Sequence, residues 1–116
     1  MNFTKLSLIA KSVVEETLAD LPVEIRHAAE GVSIFFELQP DADDVACGIL
    51  LDTLGLFDEG DGGAPIPRIR LWLANLWDYS GEDAEIFREE VRTTLLHELG
   101  HYLGWDEEDL DERGLG

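Results

Sequence analysis

Apolar residues recur at near-helical spacing from the start of the chain. Leu6, Ile9, Val13, Leu18 and Leu21 fall close to one face, with Lys5, Lys11, Glu15, Glu16 and Asp20 mostly on the other. This pattern predicts an amphipathic helix over roughly residues 3 to 20. Pro22 opens a short second turn at Val23 to Arg26, which Gly31 ends. Residues 32–38, VSIFFEL, are β-branched and aromatic and read as a strand. Residues 40–44, PDADD, read as a loop. Residues 48–57, GILLDTLGLF, fit a short helical piece followed by a strand near Leu54 to Phe57. Residues 58–67, DEGDGGAPIP, form a flexible connection rich in Gly and Pro. Its acids lack the spacing and closing Glu of a helix-loop-helix calcium site, so calcium is not expected there. Residues 68–77, RIRLWLANLW, alternate as a strand does, with Ile69, Leu71, Leu73, Asn75 and Trp77 on one face. The opposite face, Arg70, Trp72, Ala74 and Leu76, is mixed. Residues 78–81 turn the chain, and Ser80 with Asp83 makes an N-cap arrangement. The last long helix is expected from about Glu82 to Leu103. Phe87, Val91, Leu95, Leu99 and Leu103 keep its apolar stripe at spacing four.

The chain has 116 residues, 45% of them apolar. That size fits one domain over residues 1–116 with a core of its own. The charge narrows the partners. Twenty-six acids against eight bases give −18. Such a field repels phosphate backbones and anionic membrane surfaces, so neither nucleic acid nor membrane is an expected partner. Lys5 and Lys11 break the N-terminal apolar stretch, which therefore does not read as a secretory leader. No run approaches the ~20 apolar residues of a membrane helix. Cys47 is the one cysteine, so no intrachain disulfide forms; it is expected to be a small buried hydrophobe. Together these features point to the cytoplasm.

The chemistry lies near the end. His97, Glu98 and His101 form H-E-x-x-H on the strongly periodic last helix. Four residues rise ~6 Å and turn ~400°, so both imidazoles stack on one face. Both can then reach a single Zn²⁺ at ~2.0–2.1 Å. Glu98 projects beside that face, where it can take a proton from a metal-activated water. Gly104 sits where a left-handed residue can stop the helix and double the chain back. Carboxylates follow at once, in DEEDLDE over 106–112. Asp106 with Asp109 could cap a short terminal helix, and a solvated acidic helix end is the plainer account of that run. A lone His on a helix is usually structural. The joint spacing of two His, one Glu and one Gly favours a metal.

Residues 97–107, HELGHYLGWDE, match H-E-x-x-H-x-x-G-x-x-(H/D) except at the last position. The chain resembles the minimal zincin-like metallopeptidases of bacteria. The resemblance takes in the N-terminal helix, the strand at Val32 to Leu38, the segment at Leu54 to Phe57 and the strand before the metal helix. It implies an α+β fold: a small twisted mixed sheet of three to four strands, packed against an N-terminal helix and a long active-site helix. It also implies zinc-dependent hydrolysis of peptide bonds, with His97, His101 and Glu107 as metal ligands and Glu98 as general base. The family usually carries Asp where this chain has Glu107; Asp106 is the nearest competitor for the third position, because it could ligate directly while Glu107 begins a terminal helix. Glu108 and Asp109 would point away once a terminal helix starts. Zincins usually take substrate as an added strand along the sheet edge facing the metal, here from Arg68 to Trp77 or near Leu54. The negative field favours basic peptides or proteins as substrate.

Tyr102 and Tyr79 are candidate oxyanion donors, although a helical Tyr beside a ligand is more often packing. His27 lies in a surface turn, outside the chemistry. Trp105 is expected to cover the turn below the metal. Two other functions compete. One is a non-catalytic zinc-binding structural or interaction domain, in which Asp106, Glu108 or Asp109 closes the fourth position. A structural site has no need of Glu98. The other is a metal-free acidic interaction module, which leaves the motif spacing unexplained.

Overall fold

The computed structural model describes residues 1–59, 67–105 and 107–112, with the backbone alone at 107, 110 and 111. The glycine-rich part of the connection expected over 58–67, residues 60–66, lies outside them, and so does Asp106.

Helix α1 runs Phe3–Ala19. Asn2 caps it by accepting a hydrogen bond from Lys5 N at 2.9 Å. Its buried face is Leu6, Ala10, Val13, Val14 and Thr17, one step round from the expected stripe, with Ile9, Leu18 and Leu21 at the margin. Helix α2 follows at Val23–Ala29. The sheet has three strands: β1 at Ser33–Glu37, β2 at Gly55–Asp58 and β3 at Arg68–Trp72. Their order is β1-β3-β2, with β3 parallel to β1 and antiparallel to β2. The sheet is therefore mixed, and β2 is an edge strand on the side of the last helix. One face of β3 places Ile69 and Leu71 against α1, helix α4 (Leu73–Tyr79) and helix α5 (Ala84–Tyr102). Phe87, Val91, Leu95 and Leu99 of α5 complete that core, as their spacing predicts. Helix α6 spans Glu107–Glu112. Among the described residues, no helix is long and apolar enough to cross a membrane.

Four local expectations are corrected. The strand expected over 68–77 stops at Trp72, and α4 begins at Leu73. Leu73, Leu76 and Trp77 lie three and four apart, so a helix delivers all three to the core, whereas a strand would split them. Ala74 N donates to Leu38 O at 3.0 Å, which satisfies one of the helix's first amides. Second, the loop expected at 40–44 contains helix α3, Ala42–Ala46. Asp41 accepts from Asp44 N at 2.8 Å and Asp44 accepts from Asp41 N at 2.9 Å, a reciprocal capping box built from two Asp. The helical piece thus precedes Cys47, and the expected strand follows at β2. Third, Asp83 alone caps α5, accepting from Glu85 N and Ile86 N. Ser80 instead ends α4 and donates to Leu76 O at 2.6 Å. Fourth, Cys47 is exposed, because it stands at the free C-terminal end of α3.

Candidate metal centre

The second half of α5 carries His97, Glu98 and His101, all half-buried. The two imidazole rings lie 4.7 Å apart, nearly perpendicular at 79°. One ligand atom from each of the three residues falls within 4.8 Å of the others. Two imidazole nitrogens on one tetrahedral ion are roughly 3.4 Å apart, given Zn–N bonds of 2.0–2.1 Å. Small side-chain rotations close that difference, so the histidine pair fits a zinc ion. Among the described residues, this is the group of three His, Cys, Asp or Glu placed to hold a metal.

The helix ends as its glycine requires. Gly104 has φ +81°, a left-handed conformation that costs a Cβ-bearing residue dearly. Trp105 N donates to Gly100 O at 2.9 Å and Gly104 N to His101 O at 3.0 Å. That pair of bonds is the Schellman arrangement, and it satisfies the carbonyls left over at the end of the metal helix. The chain is turned within three residues of His101. Trp105 is half-buried at this turn. Glu107 opens α6; its side chain and all of Asp106 lie outside the described part. Glu108 is exposed and Asp109 half-buried.

Strand β2 reaches the site from the side. Phe57 N donates to Glu98 Oε2 at 2.8 Å. The sheet register explains why that amide is available. Trp72 N donates to Leu54 O, and Leu56 pairs with Arg70. Alternation along an antiparallel pair then turns the amides of Gly55 and Phe57 away from β3, toward α5. Gly55 lets the strand come close: a Cβ there would stand 2.6 Å from Thr94 Cγ2. Two residues along a strand span ~6.7 Å and four along a helix ~6 Å. Gly55 against Thr94 and Phe57 against Glu98 are therefore in step. The Phe57 ring continues the contact, edge-on to Tyr102 at 5.5 Å.

Of the two segments expected to offer a sheet edge, β3 is central, and β2 is the edge strand beside α5. Of the two candidate oxyanion donors, the Tyr102 hydroxyl lies against Gly31, just past the end of α2, where a Cβ would be 2.5 Å away. Tyr79 is two-thirds exposed at the end of α4, and His27 is exposed. The Phe57 amide was missed. Its signal was Gly55, since a glycine inside a strand often marks a close backbone approach.

A second polar cluster was also missed. Arg70, 6% exposed, makes paired hydrogen bonds to Glu37 of β1 and to Asp44 of α3. Its guanidinium also lies 4.9 Å from the Trp72 ring centre. Arg70 holds the Asp44 carboxyl down to about 2, against the opposing effect of burial. The two carboxylates in turn raise Arg70 above its ordinary value. The cluster ties α3, and the segment leading into β2, to the sheet.

No curated protein matches the chain. The fold has a counterpart in a solved structure, a conserved hypothetical protein from Thermus thermophilus. The two are 24% identical, the match covers 97% of this chain and 99% of that one, and the TM-score is 0.54. The family model for zincin-like metallopeptidases matches residues 29–116, which include all three strands, the metal helix and the turn after it. The chain belongs to the zincin-like metallopeptidase family.

Proposed function

We propose that the chain, as a single domain over residues 1–116, is a zinc-dependent peptidase. His97 and His101 are two ligands, Glu107 the third, and Glu98 the general base. The observation that carries this reading is the convergence of His97, Glu98 and His101 within 4.8 Å on one helix that ends in a tight turn. Zinc, when bound, supplies Lewis acidity toward a carbonyl and a water acidified to near pH 7. Glu98 takes a proton and returns it to the leaving amine. Its carboxylate is anchored to β2, which keeps it oriented while the proton moves.

Substrate approaches beside β2 as an extended peptide, with the Phe57 amide kept for Glu98. Upstream of that strand lies a cavity of about 460 Å³, lined by Leu50, Asp52, Leu54, Asp78 and Tyr79 among others. Two acids and apolar walls suit a side chain with an aliphatic stem and a cationic head. This supports basic peptides as the substrate class, in keeping with the charge of −18.

The test is hydrolysis of an undirected peptide library by zinc-loaded protein, read by mass spectrometry. Cleavage near Lys or Arg, lost at least ~100-fold in Glu98→Gln with zinc retained, is the expected result. Stoichiometric zinc without any cleavage would return the chain to a non-catalytic zinc-binding domain.

A further inference from the structure

The Phe57 amide faces away from its own sheet and donates to Glu98. We propose that this backbone N–H is a positioning element that keeps Glu98 out of the metal's ligand set. The inference rests on the reading of His97 and His101 as zinc ligands.

The H-E-x-x-H spacing does not by itself make Glu98 a base. Its carboxylate lies within 4.8 Å of the ligating atoms of both histidines. A carboxylate at that range is itself a competent zinc ligand, at ~2.0–2.2 Å. If it bound, it would take a position that a hydrolytic site must leave open. Something in the fold has to hold it back. The Phe57 amide commits Oε2 at 2.8 Å, and hydrogen bonds to an ionised acceptor are roughly twice as strong as neutral ones. The donor cannot drift with the carboxylate. Leu56, beside it, is laddered to Arg70 in the sheet. Gly55 sets the depth, because its missing Cβ lets β2 rest directly on Thr94. Thr94, Glu98 and Tyr102 are spaced by four along α5, so a single stripe of the helix receives the whole strand.

The test uses cobalt(II) as the probe ion on the full chain. Phe57→Pro deletes the amide hydrogen without breaking the β3 ladder, since that N–H points to α5. Phe57→Ala removes the ring and keeps the amide. The expected result is that Phe57→Ala keeps the wild-type visible spectrum of the cobalt protein. Phe57→Pro should shift the visible spectrum, as the carboxylate takes the position otherwise left to water, and bind cobalt about tenfold more tightly (~1.4 kcal/mol). Unchanged or weaker binding with an unchanged spectrum in folded Phe57→Pro overturns the proposal. If Phe57→Pro does not fold, Gly55→Ala decides. It should give the same spectral shift, and Thr94→Ala added to it should restore the wild-type spectrum. A wild-type spectrum in Gly55→Ala alone overturns the proposal. Failure of the wild-type chain to bind cobalt or zinc is a different result, and it removes the metal-site reading together with this one.

Discussion

Arg70 and Asp44 are joined by two hydrogen bonds of 2.7 Å, one to each carboxylate oxygen. Glu37 receives two more from the same guanidinium, both at 2.8 Å. Removing the cation would leave the buried Asp44 carboxylate uncompensated beside half-buried Glu37, a change that costs about 3–5 kcal/mol at neutral pH. Arg70→Met should therefore lower the thermal midpoint by more than 10 °C, on the order of 4 °C per kcal/mol. Differential scanning calorimetry checks this. A variant within ~2 °C of wild type would show that the cluster contributes little.

The same cluster sets an acid limit. The folded Asp44 carboxyl is held at about 2 by Arg70, below its ordinary value of 3.8. A depressed carboxyl contributes stability that is full above its unfolded pKa and is lost as pH falls through the folded one. The destabilisation caused by Asp44→Asn should thus be constant from pH 7 to about 5, shrink below about 4 and level off near 2. Urea unfolding at stepped pH measures it. A gap between wild type and variant that widens on acidification would contradict the assignment.

Gly104 fixes how the chain leaves the metal helix. At φ +81° an alanine is strained by ~1–2 kcal/mol, whereas asparagine tolerates the left-handed region. Gly104→Ala should lose about that much stability and, if Glu107 is the third ligand as proposed, also weaken zinc binding. Gly104→Asn should keep most of both. Equal zinc affinity in all three proteins would mean that the segment after the turn does not contribute to the site.

The third ligand separates two adjacent acids. Glu107 takes the last position of the extended motif, one methylene longer than the usual Asp, and Asp106 is its competitor. Zinc titration should show Glu107→Ala losing at least tenfold in affinity and Asp106→Ala nearly none, a difference of ~1.4 kcal/mol or more. The reverse pattern would assign the ligand to Asp106.

The α5 stripe and the metal motif were legible in the sequence because both are local: helical periodicity and i,i+4 spacing need no partner. The left-handed turn at Gly104 was legible for the same reason. Helix α4 was not, since alternation and helical spacing coexist in RIRLWLANLW, and only the core beneath Leu73 and Leu76 chooses between them. Helix α3 hid behind Asp41 and Asp44, an acidic pair that reads as a loop until the two side chains are seen to cap each other. In the sequence, Arg70 is one member of a mixed strand face. Its two carboxylates come from positions 33 and 26 residues earlier, a pairing only the fold creates. The Phe57 amide is harder still, because a backbone donor carries no side-chain signature.

The most direct test of the account is zinc stoichiometry by titration calorimetry on chelator-stripped protein, with His97→Ala and His101→Ala alongside. One zinc per wild-type chain is expected, with affinity reduced at least 100-fold in either variant, equivalent to ~2.7 kcal/mol or more. Wild-type protein that binds no zinc, or histidine variants that bind it as tightly as wild type, would contradict the central claim that His97 and His101 hold a metal.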